Sequence, residues 1–314
     1  GYYFGRMLHK ELGVPVGLVN TSYGGATAQA YTPIEALEDD SRLKANFVDP
    51  YKANPDMNVL VRPAELYNSM VHPLLPLSAR GVVWYQGEGN WGDYPIYPLL
   101  MKTLINGWRR NFAHSEMPFY YVQIASWGFG QDTSSKEWFY TQGEAIGYAY
   151  MREAQALTRE QVSHSGMAVT MDVGDPDDIH PTNKRPVGER LARLALNGTY
   201  GRSEVACLGP RYNSLKVENG VVKLLFDNAE GLKTNDGQAP KHFYVASTAG
   251  SEHKFWPASA EIHGSEVWLT CPDVVTTSTA ASGVAVRYAF LLYPMTNLEN
   301  GAGLPAEPFR TDSW

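Results

Sequence analysis

The stretch Asp172–Pro181, DVGDPDDIHP, sets four aspartates ahead of a single histidine. A histidine can take a proton from a hydroxyl through one ring nitrogen when an acceptor holds the other. Asp177 stands three residues before His180 and Asp178 two, so either carboxylate can fold back on a tight loop to act as that acceptor. The same composition suits two other uses. A hard cation would need several oxygen ligands, but no second histidine and no repeated ligand spacing accompanies these aspartates, and no metal site is expected. An acidic surface loop in which His180 caps the following helix would use the same residues structurally.

Two further segments carry chemistry. In WYQGEGNW, residues 84–91, Val83, Trp84 and Tyr85 lead directly into Gln86, with Glu88 two residues on. A side-chain amide at the end of a buried strand can donate to a developing oxyanion, and a carboxylate there can support the loop or touch a ligand. Such residues also make an ordinary polar strand-end turn. In NTSYGGA, residues 20–26, the pair Gly24–Gly25 lets backbone N–H groups come close to a ligand. Ser22 is a hydroxyl in the right neighbourhood, but it lacks the G-x-S-x-G frame of a nucleophile elbow. The other histidines have no partner pattern. The two Asn-x-Thr/Ser sequons, at Asn20 and Asn197, are of a kind that arises by chance.

The elements that position these segments can be read from the pattern. GYYFGRMLHKELG is a helix with Tyr3, Met7 and Leu8 on one face and Gly13 as its stop. Apolar runs at 14–20, 81–86, 118–124 and 166–171 are expected strands. TPIEALEDD begins like a helix, with Thr32 as N-cap, Pro33 at the first position and Glu35 at the third. YPLLMKTLINGWRRNF, YAYMREAQALTRE and 183–199 are expected helices, and 126–147 a long polar and aromatic connection. Strands alternating with helices imply a mainly parallel sheet covered on both faces, with chemistry beyond the carboxyl ends of its strands. All three chemistry-bearing segments follow such runs. From 215 onward short strands with Asn-Gly and His-Gly-Ser turns take over. The expected division is an α/β domain at 1–205 and a β-rich domain at 206–314.

The chain has 314 residues, 44% apolar and 19% charged, with a net charge of −7 and a pI near 5.6. That balance argues against a nucleic-acid binder, which would show a basic face. No apolar run is long enough to span a membrane. Two distant cysteines, Cys207 and Cys271, form neither a zinc motif nor a disulfide framework. The 19 Tyr and 8 Trp would suit a sugar ligand, whose flat faces pack on rings, and suit a core equally well. The N-terminus has no signal-peptide pattern and begins in the middle of a helix. A truncated or processed piece is therefore expected.

Several segments together resemble the sialate O-acetylesterases, carbohydrate esterases of the SGNH-hydrolase type. They are ELGVPVGLVNTSYGGATAQAYT, YNSMVHPLLPLSARGVVWYQGEGN, YMREAQ, DVGDPDDIHPTNKRPVGERLA and NGAGLPAEPFRTDSW. The resemblance runs the length of the chain. It implies a three-layer α/β/α hydrolase fold and removal of O-acetyl groups from sialic acid or related sugars, without a cofactor. It implies His180 as general base, oriented by Asp177, at the D-x-x-H spacing, or by Asp178. Gly24, Gly25 and Gln86 would help form the oxyanion hole, with Glu88 supporting that loop or contacting substrate. It also implies a secreted, periplasmic or lysosomal location. One departure matters. The family's serine lies in a Gly-Gln-Ser-Asn-Met segment N-terminal to the first helix, and these 314 residues contain no such segment. The nucleophile is thus expected on an N-terminal fragment or a second chain. A catalytically inactive carbohydrate-binding fragment is the alternative.

Overall fold

The computed structural model describes residues 1–128, 147–249 and 253–314. The chain forms two compact units. One comprises Gly1–Ile124, Tyr150–Ala168 and Arg185–Val205; the other comprises Ala125–Ala149, Val169–Lys184 and Ala206–Trp314. The switch at 205/206 falls where the sequence pattern changes. Two segments from the α/β half of the sequence, 125–149 and 169–184, group with the β-rich half. Most of the expected connection 126–147 lies outside the described residues.

The first unit is built on a parallel sheet of β1 (Val82–Trp84), β2 (Phe119–Val122) and β3 (Ser165–Ala168), with β2 in the middle. Every residue of β2 is buried, as a strand covered on both faces must be. Its side chains alternate between the two covering layers. Phe119 meets Trp84 and Trp108, the latter on α2 (Tyr97–Asn111), and the Tyr121 hydroxyl donates to the Gln155 carbonyl on α3 (Gly147–Gln161). Tyr120 points the other way, where its hydroxyl bonds Thr199 just past α4 (Arg185–Gly198). Helix α4 in turn packs against α1 (Tyr2–Leu12), closely enough that a Cβ on Gly188 would lie 2.6 Å from the Tyr3 Cβ. The result is a helix layer on each side of the sheet, as the alternating pattern required.

Two local expectations fail. Residues 14–20 are not a strand. A strand exists only through a ladder partner, and among the described residues β1 pairs with β2 alone, leaving 14–20 without one. Its apolar side chains stand in solvent, Val19 being 59% exposed, although Leu18 leans on α1 over Gly5. Thr32 is not an N-cap either. The helix Ile34–Glu38 has Pro33 at its cap position, while the Thr32 hydroxyl bonds back to the Ala28 carbonyl and closes the preceding 3₁₀ turn.

The β-rich unit holds two four-stranded antiparallel sheets. One orders β4 (Arg211–Glu218), β5 (Val221–Asp227), β8 (Glu266–Thr270) and β7 (Ser259–His263). The other pairs β6 (Phe243–Ser247) with β9 (Val284–Tyr288), flanked by the short strands Trp256–Pro257 and Phe309–Arg310. Both expected turns are present. Asn219 and Gly220 have φ of 52° and 79°, and Gly264 has φ of 66°, the left-handed values that favour Asn and Gly in tight hairpins.

Candidate active site

In the first unit the 86–93 segment is anchored by a buried amide cluster. The Gln86 amide nitrogen donates to Asn90 Oδ1 at 2.8 Å and to the Ala26 carbonyl at 3.2 Å, and Gln86 Oε1 accepts the Tyr97 hydroxyl at 3.0 Å. Asn90, fully buried, also accepts the Ala28 N–H at 2.8 Å and donates to Gln29 Oε1 and Asp93 Oδ2. Four loop positions from two distant segments thus converge on one asparagine. Both amide hydrogens of Gln86 are spent on protein acceptors, so here Gln86 ties the 20–27 and 86–93 loops together. Tyr97 lies in the same cluster, and its hydroxyl is pushed above the ordinary phenol range by burial first and then by the charge of Glu88.

The 20–27 and 86–93 loops of this unit touch. A Cβ on Gly89 would lie 3.3 Å from the Gly25 carbonyl oxygen and 3.2 Å from that of Ala26. Gly24 and Gly25 themselves are exposed, Gly25 with φ of 76°, a backbone that only glycine adopts readily. Glu88 is half-buried at the start of the turn after Gly87. Ser22 is exposed, and both its N–H and its hydroxyl donate to Asn20 Oδ1. That Asx turn occupies the hydroxyl with its own neighbour.

The acidic loop belongs to the second unit. Asp175 Oδ1 accepts the N–H groups of Asp177 and Asp178 at 2.9 and 3.1 Å, folding the chain back on itself. Asp178 then turns to His180. Its Oδ1 accepts the His180 N–H at 2.7 Å and lies 3.3 Å from His180 Nδ1. The carboxylate at the ring is therefore that of Asp178. Asp177 is exposed, and its charge joins that of Asp175 in adding to the burial that raises the Tyr293 hydroxyl. The His180 side chain is 83% exposed, with Nε2 directed away from the Nδ1 acceptor by the geometry of the ring. Ser126 secures the base of the loop. Its carbonyl accepts the Asp175 N–H at 3.1 Å, and its hydroxyl donates to the Pro294 carbonyl at 3.1 Å. Gly174 is required there, since a Cβ would sit 2.2 Å from the Ser126 carbonyl oxygen. No group of three or more metal-ligating side chains occurs among the described residues.

Sequence reasoning passed over Asn90, Tyr97, Ser126 and Gln155. Asn90 lies inside the quoted QGEGNW segment and Gln155 inside YMREAQ, so the signal was proximity to candidate residues; the roles depend on tertiary partners 60 or so positions away.

Three comparisons bear on this arrangement. The family model described as carbohydrate esterase, sialic acid-specific acetylesterase, matches residues 1–197. Sialate O-acetylesterase from Mus musculus is 26% identical over 98% of this chain and 62% of its own length, and that from Homo sapiens is 28% identical over 98% and 59%. The chain spans about three fifths of the length of these curated relatives. Among solved structures, a carbohydrate acetylesterase from Xanthomonas citri superimposes with a TM-score of 0.82 at 34% identity, over all of this chain and 65% of its own. The three-layer α/β unit, its amide-anchored strand-end loops and the Asp–His loop after β3 accompany a family match over most of that half of the sequence, and the chain belongs to the sialic acid-specific acetylesterase family of carbohydrate esterases.

Proposed function

We propose that this chain works, within a longer polypeptide or an assembly, as an O-acetylesterase that removes acetyl groups from sialic acid or related sugars by Ser–His–Asp chemistry. The serine is supplied from outside these 314 residues. The observation that carries the reading is the Asp178–His180 pair, in which one ring nitrogen is held by a carboxylate so that the other can accept a proton. His180 takes the serine proton as Oγ attacks the acetyl carbonyl. The tetrahedral intermediate collapses as His180 returns the proton to the departing sugar oxygen, leaving an acetyl-serine. Water, deprotonated by the same histidine, then releases acetate. Gly24, Gly25 and Gln86 are the proposed oxyanion-hole positions, Glu88 supports that loop or contacts substrate, and no metal takes part. Asp177, at the D-x-x-H position, is the competing orienter. A secreted, periplasmic or lysosomal location is part of the same proposal.

The unpaired edge of β1 and the exposed residues 14–20 support a missing neighbour carrying the serine, because that edge offers main-chain groups with no ladder partner among the described residues. Acetate release from O-acetylated sialic acid tests the reading. The 314-residue chain alone is expected to be inactive. A longer polypeptide that includes a Gly-Gln-Ser-Asn-Met segment is expected to be active, to lose activity as His180→Ala, and to keep it in EDTA. Full activity in the His180→Ala protein overturns the reading. Activity of the isolated chain that vanishes with Ser22→Ala moves the nucleophile to Ser22, and a chain that binds the sugar yet never releases acetate in any form is the inactive binding fragment.

A further inference from the structure

Gln155 has no part in the chemistry just described, yet its carboxamide is fully engaged with backbone at the carboxyl ends of two strands. It is 1% exposed. Its Nε2 donates to the Gln86 carbonyl at 3.0 Å and to the Val122 carbonyl at 3.2 Å, and its Oε1 accepts the Ile124 N–H at 2.9 Å. One side chain from α3 therefore braces the exits of β1 and β2 against each other, where the strand ladder has ended. The Tyr97 hydroxyl shares its one hydrogen between Gln86 Oε1 at 3.0 Å and the Gln86 carbonyl at 3.3 Å. The Gln155 donor thus holds the oxygen of a trans peptide and limits its rotation. The Gly87 N–H must then point to the opposite side from Gln155 and Tyr97.

Gly87 is buried, and its N–H has no acceptor among the described residues. A buried backbone donor without a partner calls for an explanation. The site favours glycine, because a Cβ would come 2.5 Å from Ile124 Cγ2 and 2.7 Å from Gln155 Nε2 and force both side chains to move. Gln86, the side-chain donor that the sequence suggested, has both amide hydrogens committed to Asn90 and Ala26. We propose that Gln155 is a positioning residue that fixes the Gln86–Gly87 peptide, so that the Gly87 backbone N–H donates to the acyl oxygen of the ester as negative charge develops on it. This rests on the esterase reading above.

The test uses the active full-length polypeptide, whose wild-type acetate release first establishes that reading by itself. Gln155→Glu keeps the acceptor for Ile124 and sets a carboxylate against two carbonyls; protonation restores one donor. The expected result is a kcat lower by about 100- to 1,000-fold, the scale of losing one oxyanion donor, with KM nearly unchanged. The ratio of variant to wild-type kcat should rise as pH falls. Thr158→Val serves as the stability control, since it removes a buried hydroxyl bond to Ala154 one turn along the same helix and should keep its kcat. A kcat loss in Gln155→Glu no larger than in Thr158→Val, or a ratio flat with pH, overturns the proposal. A second arm needs no variant. The Gly87 amide proton of the ¹⁵N-labelled wild-type enzyme should shift downfield when a methylphosphonate ester forms the tetrahedral adduct, and an unmoved Gly87 resonance overturns the proposal even if Gln155→Glu fails to fold.

Discussion

Asp178 Oδ1 accepts the backbone N–H of His180 and stands 3.3 Å from Nδ1 of the same residue, so one carboxylate oxygen both shapes the turn and faces the ring. This makes the two aspartates separable by experiment. Asp178→Asn is expected to lower kcat by about 100-fold or more, because an amide can present the wrong group to Nδ1 and select the wrong tautomer. Asp177→Asn should cost much less. Steady-state kinetics of the two variants check this, and the reverse order would return the orienting role to the D-x-x-H aspartate.

Gly87→Ala should be costly in two ways. Its Cβ meets Ile124 and Gln155 at 2.5 and 2.7 Å, and overpacking of this kind destabilises by about 1–3 kcal/mol. The displaced Gln155 amide would also release the Gln86 carbonyl. Thermal unfolding and kcat should both fall, and a variant with wild-type values of each would show that the strand end is soft.

The Asp236 carboxylate in the β-rich unit is held down to about 2 by the Lys241 ammonium first, then by donors from Asn297 and the Gln238 N–H. Its ordinary value is near 4. A group depressed in the folded state contributes stability in full above its unfolded value, and loses it as pH falls through the folded one. Melting curves of wild type and Asp236→Asn should therefore run parallel above pH 5 and converge between pH 4 and 2. A gap constant down to pH 2 would refute the linkage.

Near the C-terminus, the Asp312 side chain is fully buried and binds Arg287 through both oxygens, at 2.8 and 2.7 Å, with Arg310 at 3.3 Å. Asp312→Ala leaves the little-exposed Arg287 guanidinium without its carboxylate, and removing one partner of a buried pair costs about 3–5 kcal/mol. Chemical denaturation should show the loss in the β-rich unit.

The sequence made the layered sheet legible because β2 and the helices around it bury one periodic face after another, and periodicity is local information. It made the Asp–His loop legible because the partners are two residues apart. Residues 14–20 misled for the opposite reason: Val14 to Asn20 have strand composition, but a ladder is a property of two segments, and no described segment pairs with them. Thr32 likewise has a capping residue's identity, and its hydroxyl found the Ala28 carbonyl first. Gln155 was beyond reach, because an amide on a helix says nothing of the three backbone groups, from 31 to 69 positions away, that it will serve.

The open side of β1 has a consequence for handling the chain. Val83 is exposed on β1, a strand whose one ladder partner among the described residues is β2. Such a border is adhesive toward any extended peptide, including another copy of itself. Light scattering of the isolated chain should rise with concentration and time, and a short apolar peptide added in trans should suppress that growth by covering the border.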